Sequence, residues 1–204
     1  VIEKTFYSVG LNSYDVTVVA YGTAGSPTST TFSIDVLATY TPPADLVLAL
    51  TGGSSKTWRV RSEVAGHFGL GPVGGLIPCE WYGAGPEDKV GTGTYDDRWT
   101  FNSDGTINHV TNGTIFGRTA QVFADLGDNG TGGQDGADIL NYEYADYTEN
   151  WNIIDPGQVS IKLTNNAFFT YYTGGDHTYE LVFYNENELY LKTVDGAGEF
   201  TWWM

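Results

Sequence analysis

The residues best suited to chemistry are Trp81 and Tyr82, adjacent in the run Gly74-Gly75-Leu76-Ile77-Pro78-Cys79-Glu80-Trp81-Tyr82-Gly83-Ala84-Gly85-Pro86. So many chain breakers predict a surface loop, where large rings gain little from core burial. Flat apolar rings beside hydrogen-bonding groups suit the CH-rich faces of sugars, where desolvation and directional polar contacts act together. A ring folded back to plug the end of a sandwich is the structural alternative for either residue.

Polar partners for such a platform are sought nearby. In Tyr95-Asp96-Asp97-Arg98-Trp99-Thr100-Phe101 the strand period puts Tyr95, Asp97, Trp99 and Phe101 on one face and Asp96, Arg98 and Thr100 on the other. Phe101 precedes a tight turn and is expected to face the core. Asp96 and Arg98 then point outward, offering an acceptor and a forked donor to vicinal sugar hydroxyls, or simply a surface ion pair. His67, in the glycine-broken loop Gly66-His67-Phe68-Gly69, is either a ligand contact or a satisfied loop histidine. Phe168-Phe169-Thr170-Tyr171-Tyr172 reads as an extended segment with one face leaving the core, which makes Tyr171 or Tyr172 a further ligand candidate.

Two other chemistries are weighed. Asp125, Asp128, Asp135 and Asp138 lie in a glycine-rich acidic loop that could offer oxygen ligands to calcium, although the spacing is not that of an EF-hand. A mobile, solvated acidic loop explains the same residues. For glycoside hydrolysis two carboxylates must flank the bond, and Glu80 with Asp96 or Asp97 is the pairing to nominate. No nucleophile elbow or phosphate-binding glycine loop occurs, and no second His or Cys stands at transition-metal spacing. The expectation is therefore a protein that is not an enzyme, with calcium as a possible cofactor.

The elements that must carry these residues are β-strands. Of 204 residues 15% are aromatic, and Gly, Thr, Asn and Asp are abundant while helical periodicity is nearly absent. A formal charge of −16 disfavours nucleic acid, anionic membranes and polyanionic glycans, leaving neutral polysaccharides open. Lone Cys79 can form no internal disulfide, and no apolar run is long enough for a membrane helix. Tyr14–Tyr21 and Thr31–Val36 alternate across a Gly22–Pro27 turn, and Thr41–Ala44 reads as a stiff linker. From Asp45 onward strands are expected at 46–50, 57–63, 94–101, 106–110, 119–123, 142–147, 150–154, 159–163, 178–184, 188–193 and 199–203. Their even spacing, with turns such as Asn102-Ser103-Asp104-Gly105, predicts an all-β chain. The expected architecture is an antiparallel β-sandwich, jelly-roll-like or a flattened barrel.

Residues 1–41, with Tyr14-Asp15-Val16-Thr17-Val18-Val19-Ala20, a Gly/Ser turn and a closing Ile34-Asp35-Val36 strand, resemble the C-terminal hairpin of a PKD-type immunoglobulin-like module. Residues 45–204 resemble the carbohydrate-binding C-terminal domain of Bacteroidetes cell-surface glycan-binding proteins. The segments that carry this are Lys56-Thr57-Trp58, Ala65-Gly66-His67-Phe68-Gly69-Leu70-Gly71-Pro72, Glu80-Trp81-Tyr82-Gly83-Ala84-Gly85-Pro86, Tyr95-Asp96-Asp97-Arg98-Trp99-Thr100-Phe101 and Phe200-Thr201-Trp202-Trp203. Tyr82 is a departure, since the resemblance implies a Trp-Trp pair. The resemblance implies noncatalytic binding of a neutral polysaccharide, a β-glucan of the laminarin type first. It also implies a lipid-anchored protein on the extracellular face of the outer membrane, beside the components of a glycan importer. The rival expectations are a glycoside hydrolase or lyase and a calcium-stabilised adhesion or spacer module.

Overall fold

The computed structural model describes residues 10–22, 25, 27–38, 40–155 and 157–204. The chain divides into two compact units, Val1–Thr41 and Pro42–Met204. In the first, β1 (Gly10–Tyr21) and β2 (Pro27–Ala38) pair antiparallel, in register from Gly10 opposite Ala38 to Tyr21 opposite Pro27. Cross-strand hydroxyls supplement the ladder: Thr17 and Thr31 meet at 2.8 Å, and Ser33 donates to Asp15 at 2.5 Å. Residues 23, 24 and 26 of the expected turn lie outside the described residues.

The second unit begins with a helix, α1 (Ala44–Thr51), followed by β3 (Ser55–Trp58), β4 (Gly69–Pro72), β5 (Tyr82–Gly83), β6 (Arg98–Asn102), β7 (Thr106–Val110) and β8 (Thr114–Arg118). A second helix, α2 (Thr119–Asp125), precedes β9 (Gly133–Asp135), β10 (Asp138–Glu143), β11 (Tyr147–Ile154), β12 (Ser160–Leu163), β13 (Thr178–Tyr184), β14 (Leu189–Val194) and β15 (Phe200–Trp203). Ten strands form one antiparallel sheet in the order β3-β6-β7-β11-β12-β13-β14-β15-β4-β5, and β8-β10-β9 form a second. The fold is all-β and sandwich-like, with two short helices added.

Alternation builds the large sheet. Trp99 and Phe101 of β6, Ile107 of β7, Trp151 and Ile153 of β11, and Tyr179 and Leu181 of β13 all turn into the core. The turn after β6 closes through Gly105 N–H to the Asn102 carbonyl and Thr106 N–H to the Asp104 carboxylate. The sheet curls. Lys56 of β3 donates to the Glu186 carbonyl in the β13–β14 turn, Arg61 pairs with Glu188, and Asp45 of α1 accepts from Tyr184 of β13 at 2.9 Å.

Two expected strands are helices instead. Residues 46–50 were expected to alternate, yet Leu48 is 59% exposed while Leu46 and Leu50 are fully buried, which is the i, i+4 spacing of a helix face. Pro43 precedes the first turn, and Gly52, at φ 60°, ends the helix by donating to the Leu48 carbonyl. Residues 119–123 form α2, which buries Val122, while the strand lies just before it in β8. The expected strand 57–63 stops at Trp58, and 94–101 begins only at Arg98.

Strand β4 is held on both sides, by β15 through Trp203 opposite Gly69 and Phe200 opposite Pro72, and by β5 through Leu70 opposite Tyr82. The approach requires glycine: a Cβ on Gly69 would stand 2.5 Å from Cys79 Sγ and closer still to the Tyr82 carbonyl. Gly69→Ala is expected to destabilise the unit by about 1–3 kcal/mol through overpacking. That corresponds to a fall in melting temperature of roughly 3–10 °C by circular dichroism; an unchanged melting curve would refute this account of the strand.

Candidate functional site

The β4–β5 pairing presents the loop that carries Trp81. Trp81 N–H donates to the Leu70 carbonyl at 3.1 Å, and Ala84 N–H donates to the Phe68 carbonyl at 2.8 Å, so the backbone on both sides of the rings is fixed. Both rings reach solvent: Trp81 is 57% exposed and Tyr82 37%. Their neighbours differ. Trp81 packs edge-on against Phe200 at 6.1 Å between ring centres, whereas the ammonium of Lys89 sits 5.0 Å from the Tyr82 ring. The guanidinium of Arg118 lies 4.9 Å from Phe200 and pairs with Glu199 at 3.1 Å and Asp195 at 3.3 Å. Exposed Val73, Leu76 and Ile77 extend the apolar character of the same loop.

The other expected contacts are placed differently. His67 is buried, with Nδ1 2.7 Å from the Val64 carbonyl and Nε2 2.7 Å from the Tyr95 hydroxyl, which in turn accepts from Lys89 N–H at 2.8 Å. Both ring nitrogens are used, so His67 braces the loop and has no free atom for a ligand. Asp96 is exposed, but it lies in a bend before β6, and its backbone carbonyl accepts from Asn112. Arg98 turns its guanidinium onto the carbonyls of Tyr95 and Asp97, at 3.1 and 2.6 Å. The outward Asp96–Arg98 pair expected from strand alternation therefore does not form.

Tyr171 and Tyr172 are both sealed in the core, which corrects the expectation that one face of that segment leaves it. Thr170 takes a left-handed conformation, φ 53°, breaking the alternation so that residues 168, 169, 171 and 172 all turn inward. The second sheet covers them through the bridge between Gly117 and Tyr172. Tyr171 donates to Asp138 at 2.5 Å and Tyr172 to Asp125 at 3.0 Å.

Those two bonds also disperse the calcium candidates. Asp125 ends α2, Asp128 accepts from Gly130 N–H in its own turn, and Asp135 and Asp138 face each other across the β9–β10 hairpin. Among the described residues no three His, Cys, Asp or Glu side chains converge as a metal site.

Asp97 was correctly assigned to the inward face, but its setting is unusual: it is fully buried, and its two oxygens have no hydrogen-bond partner among the described residues. Oδ2 lies 3.1 Å from Nε2 of buried His109, off the line of a good hydrogen bond, and His109 Nδ1 meets the Tyr147 hydroxyl at 2.8 Å. Trp99, Tyr147 and Phe168 enclose the imidazole. Sealed in this way, Asp97 is not available to pair with exposed Glu80 across a glycosidic bond. A groove of about 710 Å³ over β12–β15, carrying the Lys192–Glu180 ion pair, has no aromatic side chain among its described lining residues. Sequence reasoning missed Phe200 and Arg118, which distant strands bring beside the exposed rings, and Lys89, which the turn after β5 folds back over Tyr82. Compared with known proteins, the chain matches no family model and no curated protein.

Burial pushes the Asp97 carboxyl up from 3.8 to about 9, with the nearby charge of Asp96 acting in the same direction, and pushes the His109 imidazole down from 6.5 to about 3. Between pH 3.8 and 6.5 the folded pair and the unfolded pair each hold one proton, and stability is level. Between 6.5 and 9 only the folded state keeps a proton, on Asp97, so stability falls as pH rises. Below 3.8 the unfolded state binds the extra proton, and stability falls again. Thermal melts should therefore show a plateau near pH 4–6.5 with an alkaline loss of about 1 kcal/mol per pH unit. Asp97→Asn should flatten the alkaline limb; equal limbs in both proteins would show that Asp97 is ionised when folded.

Proposed function

We propose that this protein binds a neutral polysaccharide without catalysis, a laminarin-type β-glucan being the first choice, and that it does so at the cell surface. The observation that carries the reading is the solvent exposure of Trp81 and Tyr82 on a backbone pinned by two strand pairings. Exposed aromatic rings on a rigid loop present a sugar with an apolar face at little ordering cost. Phe200 supports Trp81 from the side and extends the contact area.

Directional bonds to the sugar come from a different set than strand alternation implies. Lys89 over Tyr82, and the Arg118–Glu199 pair beside Phe200, stand at the rim of the rings, while His67 and Arg98 spend their donors on the backbone and on Tyr95. The net charge of −16 keeps the preference on uncharged glycans. In this proposal the protein acts on the extracellular face of the outer membrane, lipid-anchored, handing glycan to importer components.

Titration calorimetry with laminarin, xyloglucan, mannan and chitin oligosaccharides tests this, with micromolar-to-millimolar binding of one neutral β-glucan expected. Trp81→Ala should weaken that binding roughly tenfold, the worth of about one good stack. Its melting temperature should stay unchanged, because the ring is already exposed. No binding to any of the four glycans by the parent protein, or an unaltered affinity in a folded Trp81→Ala variant, would end the reading.

A further inference from the structure

Behind the Trp81 loop, where the curled sheet brings β3 and β6 over β14, lies a cavity of about 530 Å³. Its inner wall is Trp99, Phe101, Phe169, Leu191 and Met204, all buried. Cys79 and Thr170 also form its wall, at φ 52° and 53°, conformations that side chains other than glycine rarely adopt and that cluster where ligands are held. Volume and lining match those of sites that enclose a small molecule, and roomy apolar cavities favour apolar guests over water.

The mouth sets the charge of the guest. Arg59 and Arg61 stand there, but Arg59 makes a two-pronged pair with Glu63 at 2.8 and 2.9 Å, and Arg61 pairs with Glu188. The four charges cancel, leaving no net attraction for an anion or a cation, and the apolar interior penalises either. We propose that this cavity binds a neutral, largely apolar small molecule built on ring systems, at a site separate from the Trp81–Tyr82 surface. Trp81 and Tyr82 are not among its lining residues, so the proposal does not rest on glycan binding.

The full chain is titrated with neutral N-phenyl-1-naphthylamine and, in parallel, with the anionic 8-anilino-1-naphthalenesulfonate, which shares the same rings. Saturable fluorescence enhancement at one site is expected, with the neutral probe at least tenfold tighter. Leu189→Trp, which fills the cavity from a half-buried wall position, should weaken the neutral probe about tenfold. Phe183→Ser, at an exposed lining position, should weaken it several-fold with folding intact by circular dichroism. Trp81→Ala should bind as the parent does. The proposal is overturned by non-saturable enhancement, by equal or tighter binding of the sulfonate, by parental affinity in folded Phe183→Ser, or by loss of binding in Trp81→Ala.

Discussion

The antiparallel seam between β4 and β15 is the constraint on which the second unit depends. It joins residues 69–72 to residues 200–203, and through β5 it extends the large sheet to the segment that carries the exposed rings. Without that seam the stretch from Gly74 to Pro86 would be a glycine- and proline-rich loop with nothing to define its path. With it, Trp81 and Tyr82 occupy fixed positions while staying open to water. Gly69 is what lets β5 lie against the other edge of β4, since the Tyr82 carbonyl and the Cys79 side chain occupy the space a Cβ there would take.

Core packing around the seam is dominated by aromatic rings in stacked and tilted contacts. Trp202 lies 5.5 Å from Phe68 and 4.6 Å from Tyr171, which lies 4.6 Å from Phe116 of the second sheet. These contacts tie the two sheets together and use the rings that an eye for ligand stacking would otherwise assign to the surface. A second set of rings, Trp99, Tyr147 and Phe168, closes around buried His109 and Asp97. A buried carboxyl facing a buried imidazole is tolerable there because neither needs to be charged.

How much of this was legible in the sequence follows from how local each cause is. The β6–β7 hairpin was readable because alternation and the Asn102–Gly105 turn lie within about ten residues of each other. The placement of Asp97, Trp99 and Phe101 on one buried face was readable for the same reason. Residues 46–50 were ambiguous, since leucines two apart satisfy a strand and leucines four apart satisfy a helix. Only Pro43 and Gly52, acting as start and stop, separate the two. Nothing local announces that Thr170 turns left-handed, so strand alternation gives Tyr171 or Tyr172 a free face that neither has. The exposure of Trp81 was legible from its glycine-rich surroundings, but its neighbours Phe200 and Arg118 were not, because a distant strand brings them there.

The seam also fixes an order of events during synthesis. Strand β4 leaves the ribosome some 130 positions before β15 and must wait for it, with only the short β5 to pair with in the meantime. Nascent chains of this unit therefore carry Leu76, Ile77 and the neighbouring indole without their β15 anchor until residues 200–203 arrive. The surface around Trp81 then takes shape only once β15 has been made, and premature termination before Phe200 would leave it without form even if the central hairpins had already closed.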